Sequence, residues 1–243
     1  GGEEIPLSIL YEDEAILLVD KPPGMVVHPA AGNWSGTLVN GLLHHEPKLS
    51  ELPRAGIVHR LDKDTSGVLV VAKSLEAHTH LVRQLQARTM DREYQAICKG
   101  VMTAGGVVDA PIGRHRVDRK KMAVSENGKP AITHYRLVEK FRAHTWIRLS
   151  LETGRTHQIR VHMEQIRFAL LGDPVYGHRL QIPARSSPEL VEALRGFKRQ
   201  ALHAICLGLE HPTTGEWIRI ESPLPEDMVM MIELLRDDRE KNR

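Results

Sequence analysis

The chain has 243 residues and a formal net charge of +2. That is length enough for a sizeable core, and too little charge to mark a nucleic-acid partner on its own. No apolar run approaches the ~18 residues of a membrane span and no basic-then-apolar leader opens the sequence, so a cytoplasmic protein without a membrane partner is expected. Cys98 and Cys206 lie far apart in apolar stretches, the pattern of two buried free thiols in a reducing compartment, not of a disulfide framework.

Taken in order, Gly1 to Glu4 has the character of a tag remnant or linker, and one domain is expected over residues 5–243. Leu7–Tyr11 and Ala15–Asp20 flank Glu12-Asp13-Glu14 as a β-hairpin, closed by the rigid Lys21-Pro22-Pro23-Gly24 turn. Leu38, Val39, Leu42 and Leu43 recur at helical spacing over Thr37–His45. Val68–Ala72 is a strand too apolar to be exposed on either face. Ser74 caps a helix running to about Arg88, with Leu75, Leu81, Val82 and Leu85 as its apolar stripe.

Tyr94–Lys99 alternates like a strand, and Val107-Val108 is another short one. Asn127-Gly128, between Met122–Val124 and Ala131–Thr133, is the strongest local hairpin signal. Thr145–Leu151 alternates Ile147, Leu149 and Leu151 inward, and a helix follows from about Thr156 to Ile166. Pro188–Phe197 is a short helix, Leu202–Leu209 and Trp217–Ile220 are strands about a Thr213-Thr214-Gly215 turn, and Pro225 opens a last helix buried through Met228, Met231, Ile232 and Leu235. Many strands with hairpins, and helices packed outside them, define an α+β class.

Charge is unevenly spread. Arg114 to Lys121 sets five cations, Arg114, Arg116, Arg119, Lys120 and Lys121, against Asp118 alone, a solvated face that would also suit phosphates. The stretch from His59 to Gly67 places one carboxylate, Asp62, after a His-Arg-Leu run and before an Asp-Thr-Ser-Gly turn. Turn formation alone would account for its two aspartates. No phosphate-cradling glycine loop or His-Glu-x-x-His pattern is present. The spacings of His44, His45, His157 and His162 do not make a metal set. Neither metal nor cofactor is expected.

His59-Arg60-Leu61-Asp62-x-x-Thr65-Ser66-Gly67 resembles the signature of the RluA-type RNA pseudouridine synthases. Four further blocks resemble the same family in its order: Arg92-Glu93-Tyr94, Gly154 to His162, Gly172 to Gly177 and Ala201 to Ala204. The wording between the blocks is most similar to members that act on large-subunit ribosomal RNA. The resemblance implies a long mixed, mostly antiparallel sheet in two lobes, helices packed outside, and a central catalytic cleft. Members similar to this chain usually carry a small RNA-binding domain ahead of the catalytic one, and residues 1–243 are expected not to include it.

The implied reaction breaks the ribose C1′–N1 bond of a uridine, rotates the uracil and rejoins it through C5, with no redox or phosphoryl step. By resemblance Asp62 is the catalytic carboxylate, which either attacks C1′ or takes the C2′ proton. A dry cleft disfavours a bare carboxylate, so the family's cation, Arg160, should sit against it; an Arg–carboxylate pair also orients the oxygens. Tyr94 matches the family's tyrosine, stacking on the uracil and helping remove the C5 proton. Ile159 and Leu202 would complete the apolar slot, Arg60 would fill the space of the flipped base or hold its phosphate, and His59 would fix the turn beside the substrate. Arg114, Arg116, Arg119, Lys120, Lys121 and Arg155 would track the RNA backbone. The expected partner is large-subunit ribosomal RNA or a precursor of the ribosomal subunit, met by a monomer. Two other functions fit the same residues: a non-catalytic RNA-binding module, and a metal-independent hydrolase pairing Asp62 with His59 or His157.

Overall fold

The computed structural model describes all residues from Gly1 to Arg243. The chain forms two compact units, residues 1–92 with 204–223, and residues 93–203 with 224–243. Strands and helices occur in both, as the α+β class requires.

In the first unit β1 (Ser8–Glu12) and β2 (Ile16–Lys21) form the expected antiparallel hairpin, and β2 pairs antiparallel with β3 (Ser66–Ala72). Every residue of β3 is buried, as its unbroken apolar run dictates. Beyond it come β10 (Leu202–Glu210) and β11 (Trp217–Glu221), which pair antiparallel with each other. Helix α1 (Leu38–His45) starts at Thr37 with a reciprocal Thr37–Asn40 capping box. Helix α2 (Leu75–Ala87) starts at Ser74, whose hydroxyl accepts the Ala77 N–H. Leu75 departs from the expected stripe: it is 61% exposed. Ala77, Leu81 and Gln84 form the buried face instead, because the first residue after the cap points off the stripe set by the following turns. Gln84 donates to Glu210 O at 2.8 Å and accepts from Glu210 N at 2.9 Å, so its amide serves β10 as a backbone partner would. Val68, Val70, Leu81, Leu207 and Leu209 pack into one core beneath α2.

In the second unit β4 (Asp91–Lys99) pairs with β9 (His144–Leu151), β9 with β8 (Ile132–Lys140), and β8 with β5 (Gly106–Asp109), all antiparallel. Both faces of β4 are buried from Tyr94 to Cys98, so its alternation does not mark a solvent side. The Asn127-Gly128 hairpin does not form as expected. Met122–Val124 (β7) pairs with β6 (Ile112–Arg114), and Ile112 exchanges both backbone hydrogen bonds with Lys129, at 2.9 Å each. The turn itself is present, Gly128 N donating to Ser125 O at 2.9 Å, but Ile112 lies between the two segments it joins. Only glycine fits at 128, where a Cβ would meet the Ile112 carbonyl carbon at 2.4 Å.

Helices α3 (Gln158–Gln165), α4 (Pro188–Gly196) and α5 (Glu226–Lys241) complete this unit. Pro225 takes the cap position of α5, one residue earlier than its expected place. Met228, Met231, Ile232 and Leu235 bury as the periodicity predicts, against Ile97, Phe141, Leu171, Leu190 and Leu194. The Arg142–Asp238 and Arg199–Asp227 pairs pin the two ends of α5. Both cysteines are buried and neither forms a disulfide, and burial pushes the Cys98 thiol up to about 12. No helix is long and apolar enough to cross a membrane.

Candidate active site

Asp62 sits in a turn on the threshold of β3, with Thr65 N donating to Asp62 O at 3.0 Å. Leu61 before it is buried, as are Thr65 and Ser66 after it, so the half-buried Asp62 is presented from fixed backbone. Three devices hold the turn. His59 accepts the Val70 N–H on Nε2 at 3.0 Å, joining the loop to β3. Burial, reinforced by the Arg92 charge, pushes the His59 imidazole down to about 3, so the ring is neutral with its proton on Nδ1. Lys21, fully buried, donates to Pro22 O, Met25 O and Lys63 O at 3.0, 2.9 and 2.9 Å. Its ammonium thereby ties the proline turn to the residue after Asp62. Gly67, at φ +123°, lets the chain approach β10 so closely that a Cβ would lie 2.2 Å from Ala204 O. Arg60 is exposed. His28 lies within electrostatic reach of Arg60 and Arg54, which with burial lower its pKa.

The second unit holds the other expected residues. Tyr94 on β4, Ile159 on α3 and Leu202 at the start of β10 are buried. Arg160, one position after Ile159, is 5% exposed. It forms a two-pronged pair with Asp173: Nε to Oδ2 at 2.7 Å and Nη2 to Oδ1 at 2.9 Å. Asp173 Oδ1 also accepts the Val175 and Tyr176 N–H groups at 2.9 and 3.0 Å. Burial alone would raise this carboxyl, but the bonds and charge of Arg160 and the two backbone N–H groups outweigh it and hold the pKa below the usual carboxylate range.

Tyr176 gathers the surroundings of that pair. Its ring lies 5.0 Å from the Arg160 Cζ and 5.7 Å from the Lys121 Nζ. Its hydroxyl accepts the Met122 N–H at 2.9 Å and bonds His157 Nδ1 at 2.7 Å. His157 precedes α3 in a left-handed conformation, φ +58°, and offers no side-chain cap to the helix. Gln158, the first residue of the helix, holds the preceding loop, accepting from Thr153 Oγ1 at 2.7 Å and Arg155 N at 3.0 Å.

The basic segment folds on itself ahead of β7. Arg114 Nη1 donates to Arg119 O at 2.9 Å, and His115 N donates to Lys121 O at 2.9 Å. Arg114, Arg116, Arg119 and Lys120 are exposed and Lys121 is half-buried. Arg155 donates through Nε to Pro130 O at 2.8 Å.

Three residues of these two regions were not expected from sequence. Lys21 reads as part of a turn, and nothing local marks it as a buried ammonium. Asp173 and Tyr176 lie inside the Gly172–Gly177 block, the one signal that could have pointed to them. No group of three or more His, Cys, Asp or Glu side chains is placed to hold a metal ion.

Pinned carboxylate, buried tyrosine and clamped arginine all fall on motifs of a single enzyme class. The sequence model of the RNA pseudouridylate synthase family matches residues 15–165, and the chain belongs to that family. The ribosomal large subunit pseudouridine synthase D of Pseudomonas aeruginosa is 62% identical over 98% of this chain and 75% of its own. The protein of that name from Escherichia coli is 55% identical over 99% of this chain and 74% of its own. Among solved structures, human RNA pseudouridylate synthase domain containing 4 superposes with a TM-score of 0.72 at 27% identity, over 94% of this chain and 93% of that one.

Proposed function

We propose that this chain converts particular uridines of large-subunit ribosomal RNA to pseudouridine, without metal or cofactor. The observation that carries the proposal is the near-complete match to relatives named for that activity, with Asp62 on a turn that Lys21, His59 and Gly67 immobilise. Asp62 is the carboxylate that acts on the ribose, by attack at C1′ or removal of the C2′ proton. Tyr94 stacks on the uracil and assists loss of the C5 proton after the base rejoins. Arg160 supplies the positive charge of the site, and a planar fork held by a bidentate carboxylate suits a group that must not move. Ile159 and Leu202 give apolar surface to the base, and Arg60, exposed beside the pinned loop, occupies the space left by the flipped nucleotide. Arg114, Arg116, Arg119, Lys120, Lys121 and Arg155 contact phosphates, and the chain works as a monomer.

The hydrolase alternative gains nothing from His59, whose Nε2 is occupied by the Val70 N–H. The test is multiple turnover on large-subunit RNA carrying tritium at uridine C5. Tritium released in excess over protein, with RNA mass otherwise unchanged, is the expected result. A binding module would release none, and a hydrolase would yield free uracil or cut strands.

A further inference from the structure

The bond between Arg160 and Asp173 is more than a buried ion pair, because of what surrounds it. We propose that Asp173 and Tyr176 are positioning residues: Asp173 fixes the plane of the Arg160 guanidinium, and Tyr176 couples that guanidinium to the basic segment Arg114–Lys121. The inference rests on the roles proposed above for Arg160 and the basic segment.

A guanidinium can swing about its own stem and tilt about its plane, and both motions are blocked here. The edge carrying Nε and Nη2 is held by the two Asp173 oxygens at 2.7 and 2.9 Å, and the Cζ lies over the Tyr176 ring, 5.0 Å from its centroid. Asp173 cannot turn either, since Oδ1 also carries the Val175 and Tyr176 N–H groups. An arginine serving only as a surface charge needs no such enclosure.

Tyr176 carries the link outward. It is 1% exposed, so its hydroxyl must be satisfied within the protein. Its partners are the backbone N–H of Met122, directly after the basic segment, and His157, directly before α3. The Lys121 ammonium and the Arg160 guanidinium both lie by this ring. A phosphate drawing Lys121 and its neighbours therefore pulls on a residue that also sets the face of Arg160. The left-handed His157 at the start of α3 belongs to the same linkage, tethered at Nδ1 by the tyrosine hydroxyl.

Two variants separate positioning from mere structure, each measured for kcat, KM for RNA and thermal stability. Asp173→Asn keeps an oxygen for the Val175 and Tyr176 N–H groups but loses one prong of the clamp and its charge. It is expected to lower kcat by about tenfold or more while KM changes less than about twofold. Tyr176→Phe keeps the ring but loses the hydroxyl, and is expected to raise KM by roughly threefold or more with a smaller change in kcat. Folded Asp173→Asn protein with wild-type kcat would overturn the first assignment, and Tyr176→Phe with wild-type KM the second. If Asp173→Asn does not fold, Tyr176→Phe still decides whether the coupling exists, and Asp173→Glu, which restores the charge, replaces it in the kcat measurement. These outcomes differ from failure of the proposed function, in which the unaltered chain itself forms no pseudouridine.

Discussion

The Asp62 turn and the Arg160 clamp are both rigid, by opposite means. The turn is held by backbone: a neutral histidine on a strand N–H, an ammonium spread over three carbonyls, and a glycine pressed against Ala204. The clamp is held by charge and ring: a guanidinium between a carboxylate and a buried tyrosine. Backbone restraints fail sterically and all at once, whereas a charge network can be weakened one bond at a time. Substitutions around the turn should therefore cost folding, and those around the clamp should tune activity in a chain that still folds.

Gly67 is the most demanding position of the turn. Gly67→Ala places a Cβ 2.2 Å from Ala204 O at a φ of +123°, and an unfolding free energy lower by about 3 kcal/mol or more is expected in denaturant titration. Lys21→Met removes the buried ammonium that three carbonyls share, although Lys63 O keeps the Gly24 N–H, and should cost about 2–3 kcal/mol. If either variant unfolds at the wild-type midpoint, the turn is not held as described.

A smaller effect concerns acid. His144 is fully buried with neither ring nitrogen partnered, and burial, reinforced by Lys99, pushes its pKa down to about 4. Its folded value lies below the unfolded one, so between about pH 6.5 and 4 the unfolded chain binds more protons and stability falls as pH falls, at ~1.4 kcal/mol per pH unit for this one group. His144→Leu should flatten that slope in urea titrations across the range. An unchanged slope would show that His144 is not the group responsible. The smallest effect belongs to the clamp: Asp173 is held below the usual carboxylate range, so its contribution is present above about pH 4 and is lost only as pH falls through its lowered pKa. An Asp173→Asn variant should match the wild-type stability profile from pH 6 to 8 in shape, offset by a constant.

Much of the fold was legible because its elements obey simple periods. The β1–β2 hairpin, α1, the buried β3 and the stripe of α5 follow directly from apolar spacing. The Asn127-Gly128 signal was right about its turn and wrong about its hairpin, since Ile112 outcompetes the adjacent segment for both sides of the pairing. Strand β8 runs to Lys140, beyond the expected Thr133, because Arg136, Glu139 and Lys140 hide its alternation. Leu75 joined a stripe by spacing that its position beside the cap denies it. At the site, Asp62, Tyr94 and Arg160 stood out through family resemblance, and pattern alone would have left Asp62 a turn former. Asp173, Tyr176 and Lys21 stayed hidden because their roles are bonds to residues distant in sequence, such as Tyr176 to Met122.

Asp62→Asn isolates the catalytic carboxylate, since it keeps the size and turn-forming character of the side chain and removes only its charge. Assayed on C5-tritiated large-subunit RNA, the variant should fold and bind RNA as the unaltered chain does, and release no tritium above background. Tritium release at the unaltered rate would contradict the account, because the pinned turn would then be presenting a residue the reaction does not use.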